Sequence, residues 1–414
     1  MAAVGDFDVT VFGASGFVGR LIARHLARHA PPGLRIALAG RNPERVESVR
    51  ASLGPAARNW PVLTVDAQDS VALAQMARRS AVVVTTVGPY LRQGLRLIDA
   101  CARAGTDYID LTGDTLFIRE SIERAHQLAR RSGARIVHAC GFDSIPSDLG
   151  VHLLHRQAHA EGAGPLTDTT LWVRSIKGGV SGGTVASMRD QLQQARRDPR
   201  ARAVLADPHA LSEHAARARG QQDIRAPFRE GSTGRWVGPF AMATINTRIV
   251  RRSNALHPGG YGPRFRYREV VPFGPGWRGR LQASAMSAGI GALTLAMTTP
   301  GLSHVLDSFL PDPGQGPSAQ VRAAGHFRFQ IGTTTEQGIR YLATVAAQGD
   351  PGYAATAVMC GESALSLATD DRREGSGGVL TPARAMGDGL IERLRTQGFT
   401  IEATRYEPGS RRAG

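Results

Sequence analysis

Val9-Thr10-Val11-Phe12-Gly13-Ala14-Ser15-Gly16-Phe17-Val18-Gly19 runs from a β-branched, apolar stretch into three glycines, and residues 21–29 follow with helical spacing of apolar positions. Strand, glycine turn and helix in that order are the local requirement for binding a dinucleotide diphosphate. The glycines allow a tight turn, close approach of backbone to the diphosphate, and close packing of helix on strand. The helix start adds amides and a positive partial charge aimed at the anion. The spacing is G-x-x-G-x-x-G, a variant of the G-x-G-x-x-G fingerprint. Gly13, Ala14, Ser15, Gly16, Phe17 and Gly19 are therefore read as cofactor-binding, with a purely structural glycine turn as the alternative.

The same rhythm continues downstream. Short apolar runs at residues 9–12, 35–39, 62–65, 82–87, 108–111 and 135–139 read as strands, and residues 21–29, 71–79, 95–104 and 118–132 read as helices between them. Parallel neighbours need crossover connections, so this alternation predicts a doubly wound parallel sheet. The expected class is α/β, with a Rossmann-like cofactor domain over residues 1–150. A second α+β domain with a mainly antiparallel sheet is expected over 151–350, and C-terminal helices and a strand over 351–414 are expected to pack back on the core. In the second domain, residues 169–175, 241–250, 265–271 and the pair 325–332 and 338–346 read as strands without regular intervening helices. Residues 332–338 read as a hairpin connection, 353–368 and 382–395 as helices, and 399–402 as a last strand.

Candidate ligand contacts fall at the predicted strand ends, where open α/β sheets bind their ligands. The second strand ends Leu38-Ala39-Gly40-Arg41, with an arginine where NAD-binding proteins place an acid. A guanidinium clamps a 2′-phosphate with paired hydrogen bonds, so Arg41 favours NADP(H); the alternative is a surface-loop cap. Asp66 is positioned either to accept from the adenine amino group or to cap a helix. Thr86, Val87, Gly88, Pro89 and Tyr90 end the fourth strand near the expected nicotinamide, where Tyr90 stacks, donates a proton or simply packs. Tyr108-Ile109-Asp110-Leu111-Thr112-Gly113-Asp114 and Cys140-Gly141-Phe142-Asp143-Ser144-Ile145-Pro146-Ser147-Asp148 are polar clusters facing the same crevice. Cys140 and Gly141 are counted with the cofactor contacts, Cys140 as a small buried residue rather than a nucleophile.

Composition restrains other readings. The 414 residues carry 50 basic and 35 acidic side chains, a formal net charge of +15 with 42% hydrophobic content. Lys177 is the sole lysine, so the charge is an arginine excess that alone says little about partners. From 215 to 280, however, 13 arginines face three acids, Asp223, Glu230 and Glu269. Residues 281–303 then carry no charge, which leaves a membrane span, a lipid-touching segment or a buried or substrate-pocket helix open. Cys101, Cys140 and Cys360 form no C-x-x-C pair, which argues against a disulfide framework or a cysteine-rich metal site and for a reducing, cytoplasmic setting. No secretory leader is legible at the N-terminus. Nucleic-acid binding is disfavoured, because no recognised motif accompanies the basic residues.

The G-A-S-G-F-V-G turn, A-G-R, T-V-G-P-Y, Y-I-D-L-T-G-D and C-G-F-D-S-I-P-S-D together resemble the saccharopine dehydrogenase-like oxidoreductases. R-S-x-x-x-G-V-S-G-G-T-V-A-S, N-T-R-I-V-R-R-S-N-A-L and G-V-L-T-P-A-R-A-M-G-D resemble the trans-acting enoyl reductases, and the likeness spans residues 6–402. The resemblance implies NADPH-dependent reduction of an α,β-unsaturated acyl thioester, in trans with a polyketide synthase in lipid assembly. Hydride would reach the β-carbon, and the resulting enolate would need stabilisation and a proton at the α-carbon. Tyr90, Tyr108 and Lys177 are the candidate catalytic residues, with a solvated loop as the alternative for Lys177. No metal is expected.

Partners expected from this reading are an acyl carrier domain steered by the arginine-rich stretch, with Arg251, Arg252, Arg264 and Arg266 as docking residues, and lipid or the inner membrane face touching 281–303. A homodimer is also compatible. The competing functions are a saccharopine-type amino-acid dehydrogenase and a non-catalytic, nucleotide-binding, lipid-associated protein.

Overall fold

The computed structural model describes residues 5–178, 182–212, 221–231, 233–299, 316–371 and 377–406. Its first part runs β1 (Phe7–Phe12), α1 (Phe17–His29), β2 (Ile36–Gly40), α2 (Pro43–Ser52), β3 (Val62–Thr64), α3 (Ser70–Arg79), β4 (Ser80–Thr85), α4 (Tyr90–Ala104), β5 (Asp107–Ile109), α5 (Thr115–Ser132) and β6 (Arg135–Val137). The strands pair in parallel in the order β6-β5-β4-β1-β2-β3, as the alternating pattern predicts. Val9, Val11, Val82, Val83 and Val84 are wholly buried, because helices cover both faces of such a sheet. Winding reverses between β1 and β4, which opens a crevice beyond their carboxyl ends.

The second part contains α6 (Ile145–Ala160), β7 (Leu166–Lys177), α7 (Gly182–Arg197), α8 (Pro199–Ala206), β8 (Phe228–Arg229), β9 (Trp236–Pro239), α9 (Ala243–Leu256), β10 (Arg266–Pro272), α10 (Gly276–Thr298), β11 (His326–Thr335) and β12 (Arg340–Gln348). The chain closes with α11 (Thr356–Thr369), β13 (Gly378–Leu380), α12 (Gly387–Thr396) and β14 (Thr400–Arg405). The second sheet is ordered β14-β12-β11-β7-β10-β9-β8 and is antiparallel except where β7 meets β10. Phe327, Phe329 and Ile331 alternate with Arg328 and Gln330, so one face of β11 packs inward. That face meets α6 closely: a Cβ on Gly150 would lie 2.3 Å from Ile331 Cδ1.

Segments from the end of the chain enter both sheets. β13 pairs in parallel with β6, while β14 pairs with β12. α11, buried on nearly every side, is tied to α1 by His25 Nε2 and Glu362 Oε1 at 2.7 Å.

Three expectations change. Residues 241–250 are not a strand: residues 243–256 form α9, and every residue from Ile245 to Ser253 is buried. Regular helices also separate the strands of the second part. The uncharged stretch belongs mostly to α10, and among the described residues no helix is long and apolar enough to cross a membrane. Nor is α10 a core helix, since Trp277, Leu281, Leu293 and Leu295 are exposed. Residues 300–303 of that stretch lie outside the described residues.

Candidate active site

The glycine turn divides its work among three positions. Gly13 has φ +88°, and a Cβ there would lie 2.7 Å from Thr86 Oγ1 and 2.9 Å from Val87 Cγ2. A Cβ on Gly19 would lie 2.2 Å from the Gly13 carbonyl oxygen. These two glycines are demanded by the protein itself. Gly16 is different: its φ of −70° and ψ of 164° suit any residue, it is exposed, and its nearest obstruction is the Gly13 oxygen at 3.2 Å. It opens α1 without a side-chain cap and without an acid in the first turn, leaving backbone donors for an anion.

Ala14 is buried behind this turn, with its amide donating to the Ala39 carbonyl at 3.2 Å, while Ser15 is half-buried beside the end of β2. Phe17 forms a wall, edge-on to Tyr353 at 5.0 Å and covered by the Arg322 guanidinium at 5.2 Å. Arg41 is exposed past the end of β2 and has no hydrogen bond or ion pair among the described residues. Capping of α2 falls to Asn42, which accepts from the Arg45 amide at 2.9 Å. Asp66 accepts from the Gln68 amide at 2.8 Å, and the cap of α3 is Asp69, so the helix-cap alternative for Asp66 is removed.

Next to the turn, Thr86 Oγ1 donates to the Gly13 carbonyl at 3.1 Å, and the Gly88–Pro89 peptide is cis. Thr86 and Val87 are half-buried and Gly88 is exposed, so this loop borders the crevice. Tyr90 instead turns inward. Its hydroxyl donates to the Thr85 carbonyl at 3.2 Å and accepts from the Leu111 amide at 3.5 Å, tying the ends of β4 and β5 together. Burial, with Asp110 nearby, pushes its pKa well above the ordinary phenol value.

Tyr108 is wholly buried, and its hydroxyl donates to Asp110 Oδ2 at 2.9 Å. The same carboxylate oxygen meets His138 Nδ1 at 2.7 Å, and His138 Nε2 meets Ser121 Oγ at 2.8 Å. This closed network holds Tyr108 away from any ligand, which corrects its sequence-based candidacy. Cys140 is likewise sealed in the core, where burial raises its thiol pKa well above the usual range. Gly141 approaches α11: a Cβ there would lie 3.0 Å from Thr356 Cγ2. Lys177 is exposed at the end of β7 and pairs in register with His326, in the ladder rather than the crevice.

The residue missed in sequence is Asp143. It is half-buried just past β6, and a Cβ on Gly113 would lie 3.2 Å from its Oδ2. Among the described residues its carboxyl has no hydrogen-bond or ion-pair partner, and burial pushes its pKa up to about 7. The neighbouring polar residues are consumed. Ser147 Oγ and the Tyr267 hydroxyl donate to Glu269 at 2.7 and 2.8 Å, and the Asn246 amide donates to the same carboxylate at 2.9 Å. Asp148 accepts from Ser253 Oγ and from the Ala383 amide at 2.8 Å, joining α6, α9 and the turn after β13. The C-G-F-D-S-I-P-S-D, N-T-R-I-V-R-R-S-N and L-T-P-A-R motifs thus meet as one buried hub, and Asp143, half-buried past the end of β6, is the acid of that motif with no partner among the described residues.

The arginine-rich stretch is also redistributed. Arg248 donates to Asp223 Oδ2 at 2.9 Å and to the Leu205 carbonyl at 2.8 Å. Arg251 donates to Gln221 Oε1 at 2.7 Å and the Pro208 carbonyl at 2.8 Å; burial pulls its pKa down to about 10. Arg252 donates to the Val379 carbonyl at 2.6 Å. All three are buried, so Arg251 and Arg252 are not docking residues; Arg264 and Arg266 remain exposed.

Fold and strand-end crevice together define a dinucleotide-dependent oxidoreductase of the doubly wound type. Residues 9–137 match the saccharopine dehydrogenase NADP-binding domain. The trans-acting enoyl reductases of Mycobacterium ulcerans and Mycobacterium bovis are each 45% identical over 413 residues, covering 97% of this chain and 98% of theirs. A Mycobacterium tuberculosis relative, provisionally assigned to the same class, is 49% identical over 412 residues, with the same coverage of 97% and 98%. The chain belongs to this trans-acting enoyl reductase family. In fold it is similar to saccharopine dehydrogenase (L-Glu forming) from Saccharomyces cerevisiae, with a TM-score of 0.54 and 13% identity over 96% of this chain and 99% of that one.

Proposed function

We propose that the protein reduces the C=C bond of an α,β-unsaturated acyl thioester with NADPH, acting in trans with a polyketide synthase that presents the acyl group on a carrier domain. The observation that carries this reading is the open strand-end crevice, in which a helix start without a side-chain cap and Arg41, which has no hydrogen bond or ion pair among the described residues, flank the glycine turn. Amides at the start of α1 would hold the diphosphate and Arg41 the 2′-phosphate, while Val87, Gly88 and Pro89 would border the nicotinamide. Bound NADPH would supply hydrogen with its electron pair to the β-carbon. Thr86 fixes the bordering loop to the glycine turn, and Tyr90 fixes it to β5, so the protein supplies position rather than covalent chemistry.

A saccharopine-type substrate is favoured less, because its several carboxylates need free arginines. The three arginines on α9, the helix whose Ile245 borders Gly113, are already committed to Asp223, Gln221 and backbone carbonyls. For the carrier, the exposed Arg264 and Arg266 remain the proposed docking residues, and the exposed apolar positions of α10 the proposed lipid contact on a cytoplasmic protein. NADPH oxidation with an enoyl pantetheine thioester is expected to exceed that with saccharopine; turnover of saccharopine alone would move the assignment to an amino-acid dehydrogenase. Arg41→Ala is expected to weaken NADPH binding about 10–100-fold while leaving NADH binding within about twofold, by fluorescence titration of both nucleotides.

A further inference from the structure

Every other acid in the polar clusters that follow β5 and β6 has a hydrogen-bonding assignment. Asp110 accepts from Tyr108, Thr112 and Ala139 and meets His138; Asp114 caps α5 through the Leu116 and Phe117 amides; Asp148 is fixed by Ser253 and Ala383. Asp143 alone has no partner among the described residues, yet it is half-buried beside Gly113, a position that the apolar Ile245 side chain also approaches. An unpaired carboxyl in that setting is costly unless it is neutral or meets a ligand.

Its place in the sheet is as informative as its isolation. In the order β6-β5-β4-β1, the loop Thr86 to Gly88 lies between the glycine turn on one side and Gly113 with Asp143 on the other. A substrate lying against the loop that borders the nicotinamide would meet Asp143 at the far wall of the crevice.

We infer that Asp143 is the general acid that protonates the α-carbon of the reduced acyl thioester. This rests on the enoyl-reduction reading. As the β-carbon gains hydrogen and an electron pair from NADPH, the former π pair localises on the α-carbon and thioester oxygen. The carboxyl O–H then breaks and a C–H bond forms at the α-carbon, leaving NADP+, the saturated thioester and the Asp143 carboxylate. Water returns the proton through the open side of the crevice.

Asp143 is suited to this by its surroundings. Burial brings its pKa to about 7, where a protonated acid persists at neutral pH and transfers readily. Of the titratable groups on the packed elements, Tyr90 at the head of α4 feels its charge, Asp110 is engaged as above, Asp114 is raised to about 7 by burial as well but is committed to the cap of α5, and Arg248 on α9 is turned to Asp223. Tyr90 is a neutral phenol in this range, its pKa being held well above the ordinary value.

The test compares wild type with Asp143→Asn and Asp143→Glu. Asp143→Asn is expected to bind NADPH within about twofold of wild type by fluorescence and to unfold at the same temperature, yet to lose about 10²–10⁴-fold in kcat with KM little changed. Wild-type kcat is expected to fall as pH rises through about 7, because the acid loses its proton; that limb vanishes in Asp143→Asn, and Asp143→Glu recovers part of the rate. Infrared titration of the ligand-free protein should show one carboxyl fewer deprotonating near pH 7 in Asp143→Asn than in wild type, the Asp114 carboxyl, which burial also raises to about 7, remaining in both. Enoyl reduction by Asp143→Asn at the wild-type rate, with the pH limb intact, overturns the inference while leaving the proposed function standing. A wild type that reduces no enoyl thioester removes the proposed function itself, and the titration then reports on Asp143 independently.

Discussion

Gly16→Val is expected to fold as wild type and to bind NADPH about 100-fold more weakly, a loss of ~2.7 kcal/mol. The position separates ligand from scaffold. Its backbone lies in a region open to every residue, and a new Cβ would need the Gly13 oxygen, 3.2 Å away, to give by only a few tenths of an ångström, so the fold needs glycine there far less than at Gly19. A diphosphate approaching the start of α1 has that need, because a branched side chain would occupy the space above the first amides. Gly19→Val is the contrasting variant. Its Cβ would sit 2.2 Å from the Gly13 oxygen, so poor folding should accompany its loss of binding. Calorimetric titration with NADPH beside thermal unfolding distinguishes the two. Tight binding by a well-folded Gly16→Val protein would show that the turn is structural.

Arg248→Met is expected to lower stability by about 3–5 kcal/mol, the typical consequence of breaking a buried ion pair from one side. Met keeps much of the volume, but it leaves Asp223 without its 2.9 Å partner and the Leu205 carbonyl without its donor. Denaturant unfolding measures the loss directly. The variant also separates two meanings of an arginine-rich segment. A structural arginine should reduce activity equally on free and carrier-bound thioesters, in step with the fraction unfolded. A stable variant selectively impaired on carrier-bound substrate would restore the docking role for this helix. Arg264→Ala with Arg266→Ala, both exposed, is the pair expected to show that selective impairment.

The cofactor half was legible because its signals are local. A β-branched, apolar run ending in Gly13, a helix starting after Gly16 and an arginine at the end of β2 need no distant partner to be interpreted. Residues 245–253 defeated the same reasoning: Thr247, Ile249 and Val250 look like strand residues, and although Arg248, Arg251 and Arg252 recur at helical spacing, α9 is buried all round rather than half-exposed. The three arginines in that helix could not be recognised as core residues, because Asp223, Gln221 and the carbonyls that receive them are brought in from the preceding segment and, for Arg252, from β13.

The choice among crevice residues depended on longer range still. Asp143 and Asp148 stand five residues apart in one motif, and sequence offers no reason to prefer either. Asp148 is satisfied by Ser253 and Ala383, partners 105 and 235 residues away, and only folding reveals that Asp143 is the one left over. Tyr108 failed for the converse reason: its neighbour Asp110 is two residues along the same chain, yet the His138 that closes the network arrives with β6.

The most direct test of the central claim is the fate of deuterium from NADPH labelled at the reactive carbon of its nicotinamide, incubated with the protein and an enoyl pantetheine thioester. One deuterium is expected at the β-carbon of a saturated thioester and one solvent-derived hydrogen at the α-carbon, read by mass spectrometry and NMR. Unchanged enoyl thioester, or label recovered only in an amino-acid product when saccharopine is supplied instead, would contradict it.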